Sequence, residues 1–356
     1  MEVQRLTRRK RVQSSLRQSA EMTERGTGGT RWPFRLAVAL CCAVFPLIWI
    51  GGLVTTYDAG MAVPDWPSTH GYNLFLYPWR TWIFGPWDLF LEHGHRLLAS
   101  AAGVITIALV AAVFRWDRRR EVRIAACVAL AWIIAQGCLG GARVLLDDRQ
   151  LAMVHACTGP AFFAYCAALA ATLAPSWAEA SRAGGHPRSR GYRRRASWCV
   201  LLIYLQLVLG AQLRHIPVAA PRWLFNVSLW LHLGNALLVA VLVVLAGWKL
   251  GRLHEEPRLR RPALLLVSLL ALQIVLGAAS WVVTYGWPYW LGGWGFAASQ
   301  TIQANSTLQA TTVTLHMAVG SLLLANSVLL WLTSRRLLGV EPAAAPGGRA
   351  LPERRS

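Results

Sequence analysis

Apolar residues do not alternate or recur every third or fourth position in this chain; they run on, in long blocks separated by short polar and basic clusters. Eight blocks are about 20 residues long, near 34–54, 94–114, 122–142, 151–174, 196–214, 226–248, 262–284 and 311–333. About 20 apolar residues in helical form cross a bilayer, and a helix is favoured there because each backbone N–H and C=O must find its partner within the segment. The pattern predicts an all-α integral membrane protein with eight transmembrane helices. The shortest block is 196–214.

The blocks repeat. Span 3 ends in Gln136-Gly137-Cys138-Leu139-Gly140, span 5 in Gln206-Leu207-Val208-Leu209-Gly210, and span 7 holds Gln273-Ile274-Val275-Leu276-Gly277. Each of these Q-x-x-L-G segments precedes a loop and then a helix with a His near its start: His155, His232 and His316. Span 2 opens with a fourth, His95. The expected organisation is therefore two pseudo-repeated four-helix bundles, 34–174 and 196–333. A basic arm (1–33), a linker (175–195) and a tail (334–356) complete the chain.

Composition agrees with the membrane reading: 55% of residues are hydrophobic and 15% charged, against roughly 25% charged in soluble domains. The net charge of +20 would suit a nucleic-acid binder, but its placement does not. Of 36 Lys and Arg, all but Arg80, Arg96, Arg143, Arg149, Arg214 and Arg222 fall in the termini and alternate connections. By the positive-inside rule both termini are cytoplasmic, and no nucleic-acid partner is expected. The arm lacks an apolar core and a cleavage site, so it reads as an anchor flank; Glu2, Glu21 and Glu24 argue against a transit peptide. Seven Cys, all in or beside apolar blocks and none in a CxxC, indicate neither disulfides nor a zinc site. Rossmann, P-loop, HExxH and GxSxG patterns are absent.

An ionisable side chain inside a span is costly and marks a functional site by default. Four His at one depth strengthen that argument, and two imidazoles from facing helices are a recurring way to hold a haem iron. The expected metal-ligating pairs are His95 with His155 and His232 with His316. A buried His merely hydrogen-bonded to the next helix is the plainer alternative at any single position. His70 and His215 are expected in outer loops, and His186 and His254 in cytoplasmic connections, all solvated. In Glu92-His93-Gly94-His95-Arg96 the i, i+3 offset puts Glu92 on the face of His95, while His93 points about 200° away. Arg96 and Arg143 are candidate partners of haem propionates, with snorkelling as the plain alternative. The Trp-rich segment 286–294 is a candidate cap over the second site, or only part of the interfacial aromatic belt.

These residues resemble the haem A synthase family. The likeness is carried by Gly51-Gly52-Leu53-Val54-Thr55 with Asp65-Trp66-Pro67, by Glu92-x-x-His95-Arg96, by Gln136-Gly-x-Leu-Gly-Gly141 with Met153-Val154-His155, and by the His of spans 6 and 8. It implies oxidation of the C8 methyl of haem O to a formyl group, giving haem A for cytochrome oxidase. It also implies a plasma-membrane or mitochondrial inner-membrane protein. By position, His95 and His155 would ligate substrate haem O, and His232 and His316 a haem b cofactor. Glu92, set beside the proposed substrate haem by its offset of three from His95, is the candidate catalytic residue, with a helix-start role favoured by the macrodipole as the plain alternative. Haem O synthase, oxidase assembly factors, an electron acceptor, membrane lipid and a second copy of the chain are the partners implied. Two departures stand out: Thr56-Tyr57-Asp58 lies where the family often has an Arg, and residues 55–92 hold no Cys. A dihaem b-type cytochrome serving a quinone is the alternative of another class, with Glu92 the feature that it would not need; a transporter built of parallel repeats is a third.

Overall fold

The computed structural model describes residues 31–179, 189–217, 219–251, 257–287 and 306–338. Eight of its helices are long and apolar enough to cross a membrane. They are α1 (Trp32–Thr56), α2 (Trp87–Trp116), α3 (Arg120–Leu145), α4 (Arg149–Leu173), α5 (Ser189–His215), α6 (Arg222–Gly251), α7 (Pro257–Tyr285) and α8 (Thr307–Leu337). Short helices at Ala59–Met61, Trp79–Ile83 and Pro175–Glu179 lie between them. The chain is a multi-pass, all-α membrane protein, with no strand among the described residues.

Most helices run beyond their apolar blocks. α2 begins at Trp87, two turns before the apolar run, because its opening residues are aromatic and ionisable yet still helical. Start signals are local: Pro33 occupies the first turn of α1, and the Asp148 side chain accepts from the Gln150 and Leu151 N–H groups to cap α4. Ser306 caps α8 by accepting from Gln309 N–H.

Helices that follow one another pack together, α1 on α2, α2 on α3 and α3 on α4, and α4 closes the ring on α1. α5 to α8 close in the same order. The rings meet where α8 touches α4 and α1, and where α5 touches α4. The apolar windows of α4 and α8 are accordingly 50% and 56% buried, while that of α3 is 17% buried and faces outward. Lipid is as apolar as leucine, so close packing, not water exclusion, holds such helices together. Small residues occupy the contacts, with Ala102, Ala126, Ala129, Ala196, Ala246, Ala263 and Ala310 fully buried. Val104, Ile107, Ile134, Leu237, Ile274 and Val275 point outward.

The connection from α1 to α2 folds back over one end of the first ring. Val63 and Thr69 are fully buried there, and Trp66 packs on Gly141 of α3 so closely that any side chain at 141 would collide with its ring. Residues 1–30 of the basic arm, the 180–188 part of the linker, the distal tail, His186, His254 and residues 288–305 lie outside the described residues. Most of the expected Trp-rich cap falls with them.

Candidate functional site

His95, His155, His232 and His316 stand about two to three turns from the starts of α2, α4, α6 and α8. Each imidazole lies against a glycine of the preceding helix. A Cβ added at Gly51, Gly140, Gly210 or Gly277 would sit 3.1, 3.2, 3.1 or 3.1 Å from the Cε1 of His95, His155, His232 or His316. Four residues before each glycine, the backbone carbonyl of Leu47, Gln136, Gln206 or Gln273 lies beside the same ring. A carbonyl that accepts from one ring nitrogen leaves the other nitrogen's lone pair to bind a metal or to accept from a donor such as the Gln206 and Gln273 amides. In His95, His155 and His316 the buried Nδ1 still lacks a partner in full hydrogen-bond geometry, so these rings are not explained as satisfied core histidines.

The glutamines of the repeated segments hold the histidine helices. Gln136 Nε2 donates to His155 O at 3.2 Å and its Oε1 accepts from Thr158 Oγ1 at 2.6 Å. Gln206 Nε2 lies 3.1 Å from the His232 ring nitrogens while its Oε1 accepts from Asn235 Nδ2 at 2.8 Å. Gln273 Nε2 is 3.4 Å from His316 Nε2.

The structure brings His95 and His155 together, with ring centroids 6.5 Å apart at 73°. Two imidazoles this close could together hold one haem iron. His232 and His316 stand at the corresponding positions of α6 and α8 in the second ring. Among the described residues no group of three or more His, Cys, Asp or Glu could hold a bare metal ion. Paired imidazoles suit an iron whose other ligands arrive with it, as in haem, and the glycine-flanked rings fit that requirement.

His93 and His95 part as the helical offset predicts. His93 is buried under the α1–α2 connection, with Nδ1 3.0 Å from Thr69 Oγ1 and its ring against Tyr77 and Trp82. Glu92 is also buried. Its Oε2 accepts from Val63 N–H at 2.9 Å, its Oε1 accepts from Arg96 Nη2 at 2.8 Å, and Arg143 Nη2 approaches Oε1 to 3.8 Å. Arg96 commits its remaining terminal N–H groups to the connection, donating to Val63 O, Asp65 O and Ser68 O at 2.7, 2.6 and 2.9 Å. Arg96 therefore straps the connection onto α2. Arg143 has fewer ties: it lies against Gly60 and close to both His95 and His155.

Asp65 organises the turn itself. It accepts from Ser68 Oγ at 2.5 Å, His70 N–H at 2.8 Å and Gly71 N–H at 2.9 Å. Burial works to raise its pKa, but the hydrogen bonds led by Gly71 prevail and hold it down to about 2. His70 is exposed, as expected of a loop residue. His215 is not in a loop; it ends α5, partly buried, with Nδ1 2.8 Å from Ala211 O. All seven Cys are free.

Arg214 was not singled out by sequence, and its partners show why. Nη2 donates to Gly52 O at 2.9 Å and to Thr56 Oγ1, while Nη1 reaches Met317 Sδ at 3.6 Å, all more than 100 positions away. Thr56, in the stretch where the family often has an Arg, thus receives a guanidinium from another helix. The adjacent glycines also divide: Gly51 faces His95, and Gly52 faces Thr314 and Met317 of α8.

A family described as "Cytochrome oxidase assembly protein" matches residues 87–225, from the start of α2 into α6. A protein named "Heme A synthase" from Symbiobacterium thermophilum is 29% identical over 255 residues, 65% of this chain and 79% of that protein. "Heme A synthase" proteins of Shouchella clausii and Geobacillus kaustophilus are 25% and 24% identical, over 69% and 64% of this chain and 84% and 73% of their own lengths. No solved structure matches the chain significantly.

Proposed function

We propose that the chain is a haem A synthase, making haem A by oxidising the C8 methyl of haem O to a formyl group for use by cytochrome oxidase; the family match over residues 87–225 and the 24–29% identity to three proteins named "Heme A synthase" support this reading. The observation that carries this reading is the fourfold glycine–imidazole packing, together with the 6.5 Å approach of His95 and His155 and, among the described residues, no group of three or more ligands for a bare metal ion. In this reading His95 and His155 hold the substrate haem O, and His232 and His316 hold haem b. Haem b, when bound, supplies one-electron redox chemistry beside the substrate site.

The protein's own groups bind, orient and exclude water. The Asp65–Gly71 turn, strapped down by Arg96, covers the end of the first ring. Arg143, beside both imidazoles, is the guanidinium placed to meet a substrate propionate; Arg96 has its Nη donors committed and serves by fixing the cover. Converting the methyl to a formyl group with oxygen from water releases four protons and passes four electrons to an external acceptor, and Glu92, one turn from His95, is the proposed group that accepts one of the protons or offsets positive charge at the carbon. Its carboxylate lies 2.8 Å from Arg96 Nη2 and 3.8 Å from Arg143 Nη2. By its charge distribution the His-bearing end faces outward, with both termini cytoplasmic, in the plasma membrane or the inner membrane of a mitochondrion.

Acid-acetone extraction and chromatography of the haems of the purified protein test the reading. Haem B together with haem O or haem A is expected; haem B alone, from cells that make haem O, points instead to a dihaem electron carrier.

A further inference from the structure

The uncompensated cation at the seam of the two rings carries a further assignment. Arg214 lies one turn beyond Gly210, the glycine packed on His232, just as Arg143 lies one turn beyond Gly140, the glycine packed on His155. Arg143 has Glu92 within 3.8 Å. Arg214 pairs with no carboxylate among the described residues; its partners are a carbonyl, a hydroxyl and a thioether, none of which neutralises charge. It is partly buried between α1, α5 and α8, and it touches the side chain of Met317, the neighbour of His316. A guanidinium held inside a membrane bundle requires an anion, and a planar fork of donors suits a carboxylate.

We propose that Arg214 is the carboxylate-binding residue of the second site, receiving a propionate of the haem held by His232 and His316. The assignment rests on the functional reading above. Gly52 O and Thr56 Oγ1 orient the guanidinium, so α1 of the first ring helps to build the second site. The double glycine then has a reason: Gly51 admits the His95 ring, and Gly52 lets α8 and Arg214 approach.

The test compares wild type, Arg214→Gln, Arg214→Lys and Thr56→Val as purified holoproteins in nanodiscs of neutral lipid. Midpoint potential of the resident haem is measured by spectroelectrochemistry, and haem loss by transfer to excess apomyoglobin. A positive charge at a propionate favours the reduced haem, so Arg214→Gln should lower the potential and speed haem loss on the order of tenfold. Lys should restore part of the potential, and Thr56→Val, which removes one of two orienting contacts but keeps the charge, should shift it less than Arg214→Gln does. Wild-type potential and loss rate in Arg214→Gln overturn the assignment. Equal shifts in Thr56→Val and Arg214→Gln overturn it too, making Arg214 a tie between helices. If Arg214→Gln alters only the binding of added anionic phospholipid, its partner is a headgroup and the assignment falls. The underlying reading fails separately, and takes this one with it, if the resident haem survives both His232→Ala and His316→Ala.

Discussion

Adding one methyl group at Gly277 separates stability from haem binding. Glycine inside a helix costs about 0.5–1 kcal/mol relative to alanine, so Gly277→Ala should stabilise α7 by that amount if nothing opposes it. The new Cβ, however, would lie 3.1 Å from His316 Cε1, tighter than ordinary van der Waals contact, and the ring must yield by a few tenths of an ångström. An imidazole pushed off its rotamer by a comparable strain costs roughly 0.5–1.5 kcal/mol, which in ligation is about a two- to tenfold loss of haem affinity. Gly234→Ala is the control. It lies in the same half, two residues from His232, and a Cβ there meets nothing within 4 Å. Haem affinity by titration of the haem-depleted protein, and thermal unfolding of the same preparation, should show Gly277→Ala weaker in haem but no less stable. Gly234→Ala should bind haem as wild type does. Equal haem affinity in the two variants would refute the idea that the glycine exists to admit the ligand ring.

Three further outcomes follow from the same geometry. Glu92→Gln removes the charge facing Arg96 and Arg143, so haem O conversion should stop or stall at the alcohol while the second-half haem stays bound; wild-type haem A output would reduce Glu92 to a structural partner of the strap. Asp65, held at about 2 when folded, adds stability that is complete above its unfolded pKa of about 3.9 and is lost as pH falls through about 2. Asp65→Asn should therefore loosen the turn equally at every pH from 5 to 8, seen as faster amide exchange across 63–71, and a loosening that grows within that range would contradict the assignment. Reporter fusions at residues 75, 147, 219 and 300 should all report the outer side, and a cytoplasmic signal at any of them would break the orientation.

Sequence was most informative where one helix speaks for itself. Continuous apolar runs announced eight spans, and the i, i+3 offset in Glu92-x-x-His95 separated His95 from His93 because both effects are local. The Q-x-x-L-G repeat pointed to three of the four histidines, yet the part of its glycine stayed hidden: contact with the ring of the next helix has no signature within its own segment. α1 disguised its copy altogether, since Leu47 stands where the other three have Gln and only the Leu47 carbonyl and Gly51 do the shared work. What Arg96 holds stayed hidden for a related reason. Its position beside His95 suggested a propionate, but its donors are consumed by carbonyls roughly thirty positions away, which no periodicity encodes. Arg214 depends on the meeting of two rings, so only the assembled helices reveal it.

The central claim is that the two histidine pairs hold different haems for different purposes. Single His→Ala variants at 95, 155, 232 and 316, purified and supplied with haem O and an electron acceptor, test it by optical spectroscopy for resident haem b and by chromatography for haem A. His232→Ala and His316→Ala should lose the six-coordinate low-spin haem b signal. His95→Ala and His155→Ala should keep that signal and make no haem A. Retention of the haem b spectrum in both second-half variants, or wild-type haem A production in the first-half variants, would contradict the account.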